Sequence, residues 1–179
     1  MIDSKSTYKK YLNEDLKCYG LNKWHFWYGF RYPIVAFVRH LRLIEYISNC
    51  HKGLFWSKFL IFQKILFRKR SIFLGFSIPP NTCGRGLKIN HWGTIVISPE
   101  ASIGANARIN VCVNIGLKNN LAPNIGDNVY IGPGAKLFGG ITIGDNVIIG
   151  ANSVVNKSFT DGVTIAGVPA EIIKRKNNF

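Results

Sequence analysis

The chain has few acidic residues and no cysteine arrangement typical of a metal site. Its 179 residues include 23 Lys and Arg but only 9 Asp and Glu, for a formal net charge of +14. Such an excess favours anionic partners (phosphates, acidic glycans, lipid headgroups or nucleic acid), and charge alone does not choose among them. The cysteines are Cys18, Cys50, Cys83 and Cys112, and no two of them form a CxxC pair. We therefore expect no metal, and reduced thiols in a cytoplasmic protein.

Long apolar runs and nucleotide motifs are also missing. The N-terminus, MIDSKSTYKKYLNEDLK, is polar and does not resemble a secretory signal peptide. The stretch from Leu54 to Phe67 is the most apolar, but Lys58 and Lys64 interrupt it, so we predict no membrane-spanning helix. A P-loop of the type GxxxxGKS/T is absent, and we expect no nucleoside triphosphate site.

Charge and residue pattern divide the chain into two parts. Residues 1–70 carry 14 basic and 4 acidic side chains, whereas residues 71–179 carry 9 and 5. Apolar residues of the first part recur at helical spacing. The predicted helices cover roughly 6–18, 33–49 and 54–69. We therefore predict a basic, aromatic α-helical segment, 1–74, followed by a second domain, 75–179, that ends in a C-terminal tail.

The second domain repeats an aliphatic residue at every sixth position. The two ladders are Ile97, Ile103, Ile109 and Ile115, then Ile125, Ile131, Leu137, Ile143, Ile149 and Val155. Three hexapeptides make one triangular coil, and no hexapeptide can bury its inward residue unless the coils stack. A β-sandwich would instead alternate within strands and space its strands irregularly. The pattern therefore predicts a mainly β fold, a parallel β-helix of about 4–5 coils.

The corners and one interruption of the repeat are visible as well. Asn tolerates the left-handed backbone conformation that a tight corner needs. The positions that fit are Asn106, Asn128, Asn146 and Asn152. Four extra residues between Ile115 and Ile125 predict a loop insertion at 117–124, which is either functional or a tolerated surface insertion.

The second domain resembles the hexapeptide-repeat acyltransferases, and within them the serine acetyltransferase-like proteins of polysaccharide biosynthesis. The resemblance covers about residues 75–175. It rests on GLKINHWGTIVIS (86–98), NIGDNVYIGPGAKLFGGITIGDNVIIGANSVV (124–155) and AGVPAEIIKR (166–175). It implies a left-handed β-helix, acetyl-CoA as the acetyl donor, no metal, and a homotrimer with active sites between adjacent β-helices.

The resemblance also implies the residues of the acceptor site. His91, in KINHWG, matches the family histidine that takes the acceptor's proton. A hydroxyl is a poor nucleophile at neutral pH, so its attack on a thioester requires such a base. The expected acceptor-binding residues are Asn90, Trp92 and Asn114. The imidazole would be oriented by a backbone carbonyl or by a carboxylate of the same or a neighbouring subunit. The candidate carboxylates are Glu14, Asp15 and Glu45.

The resemblance places the donor along the C-terminal coils. Small residues there would let the pantetheine chain lie close to the backbone, and bases near the end of the chain would bind the phosphates. The residues expected to contact acetyl-CoA are Gly132, Pro133, Gly134, Gly150, Ala151, Lys174 and Arg175. For Lys174 and Arg175, a solvated basic terminus is an equal alternative.

Three positions depart from the serine acetyltransferase pattern. That family has an Asp fifteen residues before the histidine, an Asp directly before it, and a second His before a Pro. This chain has Phe76, Asn90 and Ala122 there. The differences remove groups that would hold serine, so we expect the acceptor to be a sugar hydroxyl of a free or lipid-linked glycan in bacterial capsule or surface polysaccharide biosynthesis. Serine is the alternative acceptor.

A protein of another class, a membrane-surface scaffold without catalysis, is a further alternative. Residues 54–70 mix Trp, Phe, Leu and Ile with Lys and Arg, which is the composition of interfacial helices. They predict either a peripheral contact with the inner face of the cytoplasmic membrane or a cap on the solenoid. No nucleic-acid-binding motif is present, and we expect no nucleic acid partner.

Overall fold

The first part of the chain is helical. The computed structural model describes residues 1–175, so residues 176–179 of the predicted C-terminal tail lie outside the described residues. The helices are α1 (Lys5–Cys18), α2 (Tyr28–Arg31), α3 (Pro33–Cys50) and α4 (Leu54–Leu74). The Ser4 hydroxyl caps α1 by accepting from the Thr7 amide at 3.1 Å. Pro33 opens α3 as its first residue, and Gly75, with a φ of 78°, closes α4. In the described part of the chain, no helix is both long and apolar enough to cross a membrane.

The second part consists of short strands in three sheets. The strands are β1 (Phe76–Ser77), β2 (Lys88–Ile89), β3 (Ile95–Ile97), β4 (Ser102–Ile103), β5 (Arg108–Ile109), β6 (Asn114–Gly116), β7 (Asn124–Ile125), β8 (Tyr130–Ile131), β9 (Lys136–Phe138), β10 (Thr142–Ile143), β11 (Ile148–Ile149), β12 (Val154–Val155), β13 (Val163–Gly167) and β14 (Ala170–Arg175). Face A has the order β1-β3-β6-β9-β12, face B β4-β7-β10, and face C β2-β5-β8-β11-β13-β14. The pairs are parallel except β13 with β14, which is antiparallel.

This arrangement is a parallel β-solenoid with five strands on face A, one from each coil. The sixfold aliphatic ladder is its core. On face C the residues stacked one above another are Ile89, Ile109, Ile131, Ile149 and Ile165, each 0% exposed. Burying an isoleucine side chain stabilises a fold by about 1.5–3 kcal/mol, so the ladder is a large favourable contribution. The predicted solenoid is confirmed.

The corners have the predicted backbone conformation. Asn106, Asn128, Asn146 and Asn152 have φ between 56° and 58°. The Asn106 amide also donates to the Asn128 Oδ1 at 3.0 Å, which links neighbouring coils. The inserted loop is compact, because the Lys118 and Leu121 backbones exchange hydrogen bonds of 3.0 and 3.1 Å. It lies at the corner between faces A and B, and Asn124, predicted to belong to it, is in β7.

A buried charge cluster joins the helices to the first coil. The Arg42 guanidinium, 0% exposed, donates to Asp15 at 2.9 Å and to Glu45 at 3.0 Å. It also donates to the Cys83 and Gly84 carbonyls at 2.8 and 2.6 Å. Every polar group of the guanidinium is thus used, as burial of a charge requires. This cluster was not predicted from the sequence.

Candidate functional site

The predicted site residues other than Asn114, Lys174 and Arg175 share one edge of the solenoid, where face C turns into face A. We name this corner row the C–A edge. Its successive coils contribute residues 90–93, 110–113, 132–135 and 150–153. Backbone hydrogen bonds connect the coils along the edge, with Gly134 donating to Val111 and Asn152 to Pro133 at 2.9 and 2.8 Å. The candidate base and the candidate donor-binding corners therefore lie along one line.

His91 lies at the N-terminal end of this edge, directly after β2. Its side chain is exposed, and within residues 1–175 its imidazole makes no hydrogen bond. The backbone beside it is fixed, because the Gly93 amide donates to the Leu74 carbonyl at 2.9 Å. Gly93 has a φ of 130°, and a Cβ there would come within 2.5 Å of Val111 Cγ2. A rigid corner thus carries a histidine that is free to meet a substrate.

None of the three candidate carboxylates makes a hydrogen bond or ion pair with His91 within residues 1–175 of its own chain. Asp15 and Glu45 are both consumed by the buried Arg42. Glu14 pairs instead with Arg85 at 2.6 Å. That expectation is corrected for the same subunit, and the reason is physical: a buried guanidinium leaves large desolvation costs unless nearby carboxylates compensate it.

The three residues predicted to bind the acceptor lie in different environments. The Asn90 amide donates to Asn110 Oδ1 at 2.8 Å, and Asn110 donates in turn to the Ile131 carbonyl, so Asn90 belongs to a ladder through three coils. Trp92 is 64% exposed and lines an apolar cavity with Phe30 and Phe73. Asn114 points outward from face A, in register with Val96 and Lys136.

The predicted donor-binding glycines have a structural reason of their own. A Cβ at Gly132 would lie 2.7 Å from the Ala151 amide, and one at Gly134 would lie 2.0 Å from Asn152 Oδ1. At Gly150 the Cβ of Ala166 would be 2.8 Å away. Close coil stacking therefore requires these glycines whether or not a ligand lies on the edge. Between them, Pro133 and Ala151 are exposed on the C–A edge.

Basic residues near the corners predicted to bind the acetyl donor lie in two places, β14 and β9. Lys174 and Arg175 are exposed in β14, opposite Thr164 and Val163 of β13. Lys136, which the sequence analysis did not single out, lies just after the C–A edge and donates from Nζ to the Cys112 carbonyl at 2.6 Å. Its position in the first strand after a corner, in the same repeat as GPGAK, is the signal that could have identified it.

Within residues 1–175, no three His, Cys, Asp or Glu side chains cluster at a spacing that would hold a metal ion.

Two of the three departures from the serine acetyltransferase pattern do not concern the site. Phe76 is 4% exposed and points inward, with its ring centroid 5.0 Å from that of Phe37. The outward residue of the same strand is Ser77. Ala122 packs against the hydrophobic core. Counting residues back from His91 therefore reached a position whose side chain faces the core.

Comparison with known proteins identifies the family. The family model described as "Bacterial transferase hexapeptide (six repeats)" matches residues 122–157. The chain is 38% identical to the serine acetyltransferase of Staphylococcus xylosus over 127 residues, 68% of this chain and 59% of that protein. It is 36% identical to that of Staphylococcus epidermidis over 109 residues, 58% and 51% of the two chains. The chain thus spans about half the length of the curated relatives it matches.

Solved structures agree. Neisseria gonorrhoeae serine acetyltransferase superposes with a TM-score of 0.76 and 26% identity, covering 98% of this chain and 69% of that one. Its complex with serine gives 0.74 and 27%, covering 96% and 71%. The solenoid is a left-handed β-helix, and the chain belongs to the hexapeptide-repeat acyltransferase superfamily. Within that superfamily it is a member of the serine acetyltransferase-like branch.

The expected acceptor is corrected by these comparisons. We expected a sugar hydroxyl and a role in capsule or other polysaccharide biosynthesis, but the relatives at 36–38% identity are serine acetyltransferases, as are the solved structures above. The prediction was wrong because it treated Phe76 and Ala122 as lost acceptor ligands, whereas Phe76 is buried and the partly buried Ala122 packs against the core.

Proposed function

We propose that the chain is an acetyl-CoA-dependent serine O-acetyltransferase. The observation that carries the proposal is the 38% identity to a serine acetyltransferase over 68% of the chain. In the reaction, His91 removes the proton of the serine hydroxyl as its oxygen attacks the thioester carbonyl. The C–S bond breaks, CoA leaves as a thiolate that takes up the proton, and O-acetylserine forms. No other chemical group is consumed.

The C–A edge supplies the arrangement that this reaction needs. In the proposal, the pantetheine chain follows the edge past Pro133 and Ala151, towards His91 at its N-terminal end. Lys174 and Arg175 are close to the last coils and bind the CoA phosphates. Asn90, Trp92 and Asn114 remain the proposed contacts of the acceptor.

We further propose that the working form is a homotrimer. The His91 imidazole is exposed and lacks an orienting partner within residues 1–175 of its own chain. A catalytic imidazole normally has its second ring nitrogen fixed by another group. A neighbouring copy supplies that group in the trimer, and equilibrium sedimentation at three times the chain mass of 20.1 kDa tests this.

The test of the function is CoA release from acetyl-CoA with and without serine. H91A is expected to lower serine-dependent release by at least about 100-fold, which is the usual contribution of a general base. H25A is the matched control, since His25 stacks on Trp27 in the helical segment, and it keeps the wild-type rate. Wild-type protein that releases no CoA with serine, or H91A that releases it normally, contradicts the proposal.

Residues 54–70 support a separate proposal, a peripheral contact with an anionic membrane surface. The exposed apolar side chains of α4 are Leu54, Phe55, Ile61, Phe62, Ile65, Leu66, Ile72 and Phe73. Its exposed bases are Lys58, Lys64, Arg68 and Lys69. No acidic residue occurs between Glu45 and Glu100. Bases among apolar side chains suit anionic lipid, whereas a second copy of α4 would oppose like charges.

Co-sedimentation with phosphatidylserine-containing vesicles tests this contact. Wild-type protein is expected to pellet at low salt, and K58E/K69E to remain in the supernatant because the attraction is reversed. K9E/K10E changes two exposed bases of α1 by the same charge and is expected to pellet like wild type. Two results together would instead assign the surface to a second copy of the chain. The wild-type protein would fail to pellet with vesicles, and its chains would self-associate in a way that a polar substitution of Phe55 abolishes.

A further inference from the structure

The strand that leads to His91 is the edge strand of face C. β2 pairs with β5 on one side, and among residues 1–175 no strand pairs with it on the other. The Lys88 and Asn90 amides donate to Ala107 and Ile109 of the next coil at 2.9 and 3.1 Å. The amides of the alternate residues, Leu87 and Ile89, therefore point away from the sheet. Buried edge groups of this kind destabilise a protein unless they find partners.

Side chains of α1 and of Tyr19, the residue that follows it, provide those partners. Asp15 Oδ1 accepts from the Leu87 amide at 2.9 Å. The Tyr19 hydroxyl accepts from the Ile89 amide at 2.8 Å and donates to the Ile89 carbonyl at 3.3 Å. Cys18 Sγ approaches the Gly86 carbonyl at 3.2 Å. The last turn of α1 thus takes the place that another coil would occupy.

Tyr19 is suited to this double role. Its ring packs against the hydrophobic core. Burial raises the pKa of Tyr19, so the hydroxyl stays protonated at neutral pH and can accept and donate at once. Phenylalanine would keep the ring and remove both hydrogen bonds.

The end of β2 is consequently held from two sides. Tyr19 binds Ile89 from the helical segment, and Asn110 binds the side chain of Asn90 from the second coil at 2.8 Å. His91 follows directly and has no side-chain hydrogen bond of its own within residues 1–175. Both contacts therefore act on the two residues directly before His91.

We propose that Tyr19 is a positioning residue for His91, acting through the backbone of Ile89. The inference rests on the proposed function for its catalytic consequence. Without the hydroxyl, the Ile89 amide and carbonyl lose their partner and the end of β2 shifts. A displacement of about 1 Å at a reacting group can cost up to about 100-fold in rate.

The kinetic test compares Y19F with Y11F. Tyr11 lies in α1 and is also buried, but within residues 1–175 its hydroxyl accepts from the N-terminal amine of Met1 at 3.1 Å and makes no hydrogen bond to β2. Y19F is expected to lower kcat roughly tenfold with KM for acetyl-CoA within about twofold, and Y11F to leave both unchanged. N110A removes the hydrogen bond that holds the Asn90 side chain from the second coil. As in Y19F, kcat is expected to fall roughly tenfold with KM for acetyl-CoA within about twofold. A wild-type kcat in Y19F, or an equal loss in Y11F, overturns the proposal.

A spectroscopic test is independent of turnover. The ring nitrogen resonances of His91, assigned by comparison with H91A, are expected to shift or broaden in folded Y19F and to stay in place in Y11F. Unmoved resonances in folded Y19F contradict the positioning role even if the protein acetylates serine. Moved resonances in a protein without serine-dependent CoA release would support the positioning and reject the proposed function.

Discussion

The helical segment and the solenoid are stabilised by different kinds of contact. On face C of the solenoid, the same isoleucine contact recurs from coil to coil, and each of these side chains is 0% exposed. The helical segment meets the solenoid through contacts that occur once, above all Arg42 with Asp15, Glu45 and two carbonyls of the first coil. Repetition spreads stability over many equivalent sites, whereas the junction concentrates it in one buried cluster.

The junction is where a single substitution should have the largest effect. We expect R42M to lower the free energy of unfolding by about 3–5 kcal/mol, because two carboxylates stay buried without a countercharge. Urea denaturation measures the change. R39M on the same helix removes a cation–π contact with Trp24 and is the control, with an expected loss below about 1 kcal/mol. Equal losses of stability in R42M and R39M would contradict the expectation that the junction concentrates stability in the Arg42 cluster.

One rung of the isoleucine ladder should matter slightly less. I131A is expected to lower the free energy of unfolding by about 2–4 kcal/mol, since it leaves a cavity between Ile109 and Ile149. I148A, at a position on the same face that is 43% exposed, is expected to lose less than about 1 kcal/mol. Thermal and urea unfolding of both variants give the comparison, and similar values would show that the inward ladder is not the main support.

A corner of the solenoid provides a smaller effect. Asn128 has a φ of 57°, a conformation that costs an alanine about 1–2 kcal/mol. N128A is therefore expected to be less stable by that amount in urea denaturation. N128G relieves the backbone strain and keeps most of the stability, so a glycine variant as unstable as N128A would place the effect in the Asn106 hydrogen bond instead.

The helical segment should also carry a modest dependence on pH. Desolvation and the nearby Arg70 lower the pKa of His40, whose ring contacts Gln63 and Arg70. The folded protein then binds this proton more weakly than the unfolded chain does, so stability is lost as the pH falls below the unfolded pKa of about 6.5. H40Q is expected to flatten the fall in Tm between about pH 7.5 and 5 relative to wild type. An unchanged slope would assign the acid sensitivity to other groups.

The difference between repeated contacts in the solenoid and single contacts at the junction explains what could be predicted from sequence. A repeated contact leaves a period, and the sixfold spacing predicted the solenoid and the left-handed corners at Asn106, Asn128, Asn146 and Asn152. The Arg42 cluster joins residues far apart in the chain and leaves no period, so it was missed. Helix α4 continues to Leu74 instead of ending near residue 69, because Leu74, 3% exposed, packs in the core and Gly75 then ends the helix. The short helix α2 was also not predicted.

The candidate site was predicted in part for the same reason. In the structure, positions that follow the repeat, such as Gly132 and Gly150, lie on one edge with His91. The acceptor was wrong because a count along the chain does not give the direction of a side chain, and Phe76 turned out to face the core. The carboxylates Asp15 and Glu45 were likewise only candidates to orient His91, and their burial with Arg42 leaves no trace in the sequence.

The antiparallel strand β14 has a consequence for how copies of this protein can meet. Parallel coils expose a ladder of backbone groups at each end, and such a ladder can template the stacking of one solenoid on another into a fibre. β14 reverses direction against β13 and presents the exposed side chains of Glu171, Lys174 and Arg175. At the opposite end, α1 occupies the edge of β2. On face C, stacking along the axis is therefore disfavoured at both ends, by charged side chains at one and by α1 at the other, so assembly through the sides of the prism is favoured.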